Sequence, residues 1–252
     1  MMFRGSGVNT PVWQLCVRHE WGDEKQFYTY EDERCAVLYG SNRGKLSLAI
    51  YGEIDQSIEQ LEIVRSSFPQ PEWTLMSTSL YVALTDDMKD YFGPSFGWGW
   101  DFYYAESELL PVPGVQRVEH LPHGSLELAA MSSQIRAVLY ESNPLSEAHS
   151  FFESLSWFIL RENDTIVAVV GYDTFAEHAY LHGLGTKPAY RGKGYAAAIM
   201  VGAINQLLSS LETVQFTMWA WNNPARKLYE RIGMTHGASL IHGRREPFVE
   251  LG

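Results

Sequence analysis

Cysteine is nearly missing from this chain: two residues, Cys16 and Cys35, in 252. That excludes a disulfide-stapled secreted scaffold. Their separation also matches no thiolate metal spacing, so free thiols and no bound metal are expected. There is no apolar run of the roughly 20 residues that a spanning helix needs. The first residues, MMFRGSGVNTPVWQL, hold one arginine but no apolar h-region, so no signal peptide is expected. A cytoplasmic protein with no membrane partner follows as the expectation. Positive charge is also scarce. The 19 Lys+Arg face 30 Asp+Glu, for a net charge of −11, which argues against nucleic acid as a partner. The deficit is uneven: residues 1–112 hold 8 Lys+Arg and 17 Asp+Glu, against 11 and 13 in the remainder. The acidic half suits a cationic substrate, and a solvated acidic face explains it equally.

What is present is an ordinary globular composition, 46% hydrophobic and 19% charged, long enough for a real core. Residues 26–30 alternate aromatic and polar, as a half-buried strand does. Residues 34–40 and 45–51 predict a hairpin across Ser41-Asn42-Arg43-Gly44. Asp55 is placed to cap a helix over 56–67, and residues 73–84 look strand-like. Residues 92–100, FGPSFGWGW, read as an ordered Gly/aromatic loop or a pocket lining. Pro111-Val112-Pro113-Gly114 is the best linker candidate, giving an accessory α/β domain over 1–112 and a second domain over 113–252.

After that linker the pattern restarts. It predicts a strand over 115–121, an amphipathic helix over 124–140 stopped by Asn143-Pro144, and a short helix near 146–153. A hairpin of 155–161 and 165–175 turns on Glu162-Asn163-Asp164. A strand over 180–186 leads into Arg191-Gly192-Lys193-Gly194, then a helix to Leu211 and a strand over 214–221. A helix from Asn223-Pro224 to Gly233 and strands over 234–241 and 248–251 complete the chain. The strand–helix–strand unit makes one parallel step in a mostly antiparallel sheet.

A glycine loop that opens a helix is an anion site. Backbone N–H groups and the positive end of the helix dipole converge there, and glycine lets the ligand approach. Two phosphate readings compete. Gly192-Lys193-Gly194-Tyr195-Ala196-Ala197 fits a dinucleotide fingerprint, G-x-G-x-x-A. That reading requires an acid at the end of the next strand, whereas Glu212 precedes it, and too little chain follows for a doubly wound sheet. The nucleotide string G-x-x-x-x-G-K-[ST] is not present.

With this order, residues 115–252 resemble the GNAT N-acetyltransferase superfamily. One motif is R-x-x-G-x-A, here Arg191-Gly192-Lys193-Gly194-Tyr195-Ala196. The other is N-x-x-A-x-x-L-Y-x-x-x-G-M, here Asn222 through Ala225, Leu228 and Tyr229 to Gly233-Met234. The resemblance implies a mixed, mostly antiparallel α+β sheet with flanking helices, preceded by a smaller α/β domain, which we expect to be a degenerate copy of the same fold. It implies acetyl-CoA as co-substrate, its pyrophosphate on the loop from Arg191 to Ala196. It further implies that backbone groups of Leu184, Gly185 and Thr186 hold the pantetheine arm and polarise the thioester carbonyl. Asn222, Ala225 and Arg226 are expected near the cofactor.

Acetyl transfer to an amine needs a neutral amine, a polarised carbonyl and a proton for the leaving thiolate. The resemblance puts Tyr229 in the last role. The family's usual glutamate falls near Tyr180, which is not acidic. His182 is therefore the candidate base, placed by period-2 alternation on the face of Tyr180, Leu184 and Thr186; Glu177, His178 and a water chain are the alternatives. The expected acceptor is a small-molecule amine or a protein amine, a small cation being favoured, and the protein is expected as a monomer or homodimer. A catalytically silent CoA-binding module is the alternative function.

Overall fold

The computed structural model describes residues 25–42 and 44–246. Cys16, the N-terminal stretch, Arg43 of the expected turn and the strand expected over 248–251 lie outside them. The chain divides into two compact units. One comprises the residues up to Phe102 with Thr217–Asn223 and the stretch from His236. The other comprises Tyr103–Phe216 and Pro224–Thr235. The Pro111–Gly114 stretch lies within the second unit.

In the first unit, β1 (Gln26–Glu31), β2 (Cys35–Asn42) and β3 (Lys45–Gly52) form an antiparallel meander. Helix α1 (Ile54–Ser67) crosses over to β4 (Trp73–Ser77), parallel to β3. Two short helices follow, α2 (Thr78–Ala83) and α3 (Asp86–Phe92), then β5 (Ser95–Ala105). The helices cover Val37, Tyr39, Leu48, Ile50 and Met76, all buried.

Three expectations change here. The strand over 73–84 stops at Ser77, because its hydroxyl accepts the Leu80 N–H and caps a helix there. Residues 95–100 are strand, not loop: the aromatic alternation outweighs the glycines, and Gly243 gives Phe96 its space. Asp55 is not the cap. It sits in the first turn of α1, where Arg34 binds both it (2.5 Å) and Glu53 (2.8 Å).

The second unit opens with β6 (Val118–Leu121) and α4 (Leu126–Ser142). Ser125 caps α4 by accepting the Leu128 N–H. Two single-turn 3-10 segments, Glu147–His149 and Phe152–Ser154, stand where one short helix was expected. Strands β7 (Ser156–Glu162), β8 (Thr165–Phe175) and β9 (His178–Thr186) are antiparallel. The β7–β8 turn places Asn163 and Asp164 at positive φ, the mirror-image turn that suits strand twist. Helix α5 (Tyr195–Leu208) then crosses to β10 (Thr213–Trp219), parallel to β9. Helix α6 (Asn223–Ile232) ends on Gly233 at φ 92°, and β11 (Thr235–Arg244) follows.

The strand order is β1-β2-β3-β4-β11-β5 for the first unit and β10-β9-β8-β7-β6 for the second. β11 runs antiparallel to β4, with Leu240 opposite Ser77 and Arg244 opposite Trp73. Both units repeat one order of elements: three antiparallel strands, a crossover helix, a parallel strand. The expected echo between the two halves is present as topology, on a mixed sheet with flanking helices.

Candidate active site

Strand β9 is where the two crossovers differ. In the first unit β3 and β4 keep register over four pairs, up to Ile50 opposite Met76. In the second unit β9 and β10 pair over three, Thr213–Gln215 against His178–Tyr180, and the register ends there. Beyond it, residues 181–186 continue along β8 alone. The edge of β9 that carries Leu184, Gly185 and Thr186 therefore turns its backbone groups toward no paired strand. Such a wedge admits an extended ligand arm.

The same stretch holds a bulge. Gly171 stands opposite His182 and Val169 opposite Gly185, so β9 spends three residues on two of β8. Gly183 absorbs the extra residue at φ 61°. This overturns the alternation expected for His182. Before the bulge, the His182 ring packs edge-on against Phe151, 4.9 Å between centroids, on the side of α4. After it, Gly185 faces Ser142 at the end of α4, so Leu184 and Thr186 face the opposite side.

Helix α4 fastens the bulged strand. Asn143, its C-cap, donates from Nδ2 to the Leu184 carbonyl at 3.3 Å. Ser142 Oγ donates to Val138 O and occupies the space a side chain at position 185 would take. A side chain at 185 would therefore have to displace Ser142 Oγ. Arg191 donates from Nε to Thr186 O (3.2 Å) and from one terminal nitrogen to Ser142 O (3.1 Å). The arginine charge lies at the carbonyl end of α4, which suits that helix's dipole, while tying down the last residue of β9.

Beyond Arg191, Gly192 (φ 76°) and Gly194 (φ 85°) are left-handed, and a Cβ on either meets nothing within 4 Å. Gly194 is the N-cap of α5 and supplies no side-chain acceptor, so the first-turn N–H groups have none from the cap. Lys193 lies over the Tyr190 ring at 5.0 Å. The Tyr195 hydroxyl donates to Glu162, which pushes its ionisation up, and Arg117 lies over its ring at 5.5 Å. Ala196 follows in the first turn of the helix. An open, glycine-lined cradle at a helix N-terminus fits a pyrophosphate.

The remaining expected residues are dispersed. Tyr229 is buried in α6, with Phe216 at 4.4 Å and Tyr103 at 5.5 Å between ring centroids. Burial, followed by the neighbouring Tyr103, pushes its ionisation far up, so the phenol stays a proton donor. Ala225 and Arg226 lie one turn earlier on α6. Asn222 belongs to the first unit's share of the chain, in the turn after β10, where its N–H donates to Trp219 O. Glu177 and His178 stand at the closed end of β9, where Glu212 N–H bonds Glu177 O. At about 3.3 Å per residue, His178 lies some 20 Å along the strand from Leu184, and His182 about 7 Å. Asp173, whose Oδ1 is 3.3 Å from His182 Nε2, belongs to no motif read from the sequence. Its neighbour in space comes from the far side of a hairpin, nine residues on.

Among the described residues no cluster of three or more His, Cys, Asp or Glu is close enough to hold a metal, and no helix is long and apolar enough to cross a membrane. Residues 127–234 match the family model described as acetyltransferase (GNAT) family. A search of curated proteins gave no significant match. Among solved structures, the chain is similar to a GCN5-related N-acetyltransferase from Kribbella flavida, at 14% identity over 94% of this chain and 95% of that one, TM-score 0.57. It is also similar to an acetyltransferase from the GNAT family of Colwellia psychrerythraea, at 15% identity over 94% and 90%, TM-score 0.59. At such identities the likeness is one of fold.

Proposed function

We propose that the protein transfers an acetyl group from acetyl-CoA to an amine, a reading supported by the match of residues 127–234 to the acetyltransferase (GNAT) family model. The observation that carries the proposal is the end of β9. A strand released from its parallel partner runs through a bulge into an open glycine cradle at the N-terminus of α5.

In this proposal Arg191 through Ala196 receive the pyrophosphate, chiefly through backbone N–H groups. Leu184, Gly185 and Thr186 hold the pantetheine arm, and their amides aim at the thioester oxygen, where charge grows during transfer. Bound acetyl-CoA supplies the activated acyl group. Tyr229, held neutral by its burial, donates a hydrogen bond to the departing sulfur. Residues 1–112 are proposed as an accessory domain without a cofactor site of its own. Two observations support this: β3 and β4 stay paired, and the first turn of its crossover helix is acidic and tied to Arg34.

The acceptor is proposed to be a small cationic amine in preference to a protein amine, on the acidity of residues 1–112. The test is a panel of amines with acetyl-CoA, following thiol release, alongside calorimetry of acetyl-CoA binding. Binding with thiol release for at least one amine supports the proposal. Binding without release for any amine leaves the silent CoA-binding module, and no binding refutes both.

A further inference from the structure

One titratable pair at this site is built by the fold and was not visible as a motif. His182 Nε2 and Asp173 Oδ1 are 3.3 Å apart across the β8–β9 hairpin. The imidazole side chain is 13% exposed and the carboxylate 38%. Two further rings fix the imidazole plane: Phe151 edge-on at 4.9 Å and Tyr180 at 4.7 Å. The pair stands on the last regular residue before the bulge, next to the strand edge assigned to the thioester.

We propose that Asp173 is a positioning residue that makes His182 the proton acceptor for the incoming amine. This rests on the acetyltransferase reading above. The carboxylate accepts a hydrogen bond from Nε2–H, which fixes the tautomer and leaves the lone pair on Nδ1. An ammonium substrate gives one proton to that lone pair and becomes a nucleophile. The C–N bond forms as the C–S bond breaks, the nitrogen releases its second proton to solvent to give the neutral amide, and the sulfur leaves as thiolate, accepting a hydrogen bond from Tyr229 and taking its proton from solvent. The Asp173 charge also offsets the positive charge that His182 acquires.

Of the other titratable groups on the elements packed against His182, Glu141 and Glu147 are exposed, Tyr180 packs its ring on the imidazole, and the rest stand as follows. On the 3-10 segments, His149 Nε2 lies 3.1 Å from Asn143 O, and Glu153 pairs with Arg136. On β8, the Tyr172 hydroxyl is 2.8 Å from His120 Nε2. Glu177 and His178, on β9 itself, lie at its closed end. Asp173 is the carboxylate that the hairpin register delivers to this imidazole.

The experiment uses the full chain, labelled with 15N-histidine, as wild type, Asp173→Asn, Asp173→Glu and His182→Gln. Long-range 1H–15N spectra report the His182 tautomer without acetyl-CoA, and the fold of each variant is checked by circular dichroism. The expected result is the Nε2–H tautomer in the wild type and Asp173→Glu, and a mixed or reversed population in Asp173→Asn. With an accepted amine, His182→Gln lowers kcat/KM by about 100-fold or more and flattens the acid limb of its pH profile. Acetyl-CoA affinity by calorimetry stays within about twofold. An Nδ1–H tautomer in the wild type, or one unchanged by Asp173→Asn, overturns the dyad. So does an unaltered acid limb in His182→Gln. A wild type that binds acetyl-CoA and acetylates amines while failing these tests loses only the dyad. A wild type that does neither removes the acetyltransferase reading as well.

Discussion

Gly183 and Gly185 meet different obstacles to a side chain, and each makes a separable prediction. Gly183 combines φ 61° with a Cβ position 2.9 Å from Ala148 Cβ and 3.1 Å from Leu139 Cδ1. Gly183→Ala therefore meets backbone strain and overpacking together, and should lower unfolding free energy by about 1–3 kcal/mol in urea titrations. Gly185→Ala keeps an ordinary φ but displaces Ser142 Oγ from Val138 O. It should cost less stability and act mainly on turnover, by moving the Leu184–Thr186 edge. Tyr229→Phe should slow single-turnover thiol release by about tenfold or more, with acetyl-CoA affinity unchanged, because it removes an interaction made as the sulfur departs. In the first unit, burial and then the charge of Arg244 lower His242 from 6.5 to about 4. The folded state keeps this imidazole neutral while the unfolded chain binds a proton below pH 6.5. The stability it contributes is therefore fully present above that pH and is lost as pH falls toward 4. His242→Gln should flatten that part of the stability profile measured by chemical denaturation.

At the scale of elements, the strand–loop–helix from β9 to α5 is what the sequence specified best. A strand ending at Thr186 and two glycines before an alanine-rich run set its parts by local rules: glycine takes left-handed φ, and a helix N-terminus exposes donors. Gly194→Asp tests the cradle directly. It puts a carboxylate where an anion is expected, in a left-handed conformation costly for most side chains, and acetyl-CoA affinity should fall by at least about tenfold in calorimetry. Arg191 shows the limit of local reading. Its charge marked it as a phosphate ligand, but its guanidinium is bonded to the carbonyls of Thr186 and Ser142, and the second of these lies 49 residues earlier. The bulge at Gly183 was equally hidden, since it exists only as a mismatch between two strands' registers. So was Asp173, which needs that same register to meet His182. The aromatic stretch at 95–100 misled for a related reason: its glycines read as loop in isolation, whereas packing against Gly243 and Ala220 makes them strand.

At the scale of the molecule, the first unit is not closed by its own consecutive sequence. Its strand β4 pairs with β11, so residues 240–244, after the whole acetyltransferase match, complete a sheet begun near residue 26. Most of the neighbours of β11 in that sheet come from residues 73–105. A fragment of residues 113–252 would keep the glycine cradle, β9 and α6, yet leave β11 without the five partners from Trp73 to Ser77. An unpaired apolar strand carrying Ala238, Leu240 and Ile241 is a template for self-association. The fragment should therefore aggregate, or unfold without a cooperative transition, in size-exclusion and thermal measurements where the full chain stays soluble. Mixing it with a separately produced fragment of residues 1–112 should restore solubility, because β4 then reacquires its register with β11. A fragment of 113–252 that is monomeric and unfolds cooperatively by itself would show instead that β11 finds another partner, and that the accessory segment serves the acceptor and not the fold.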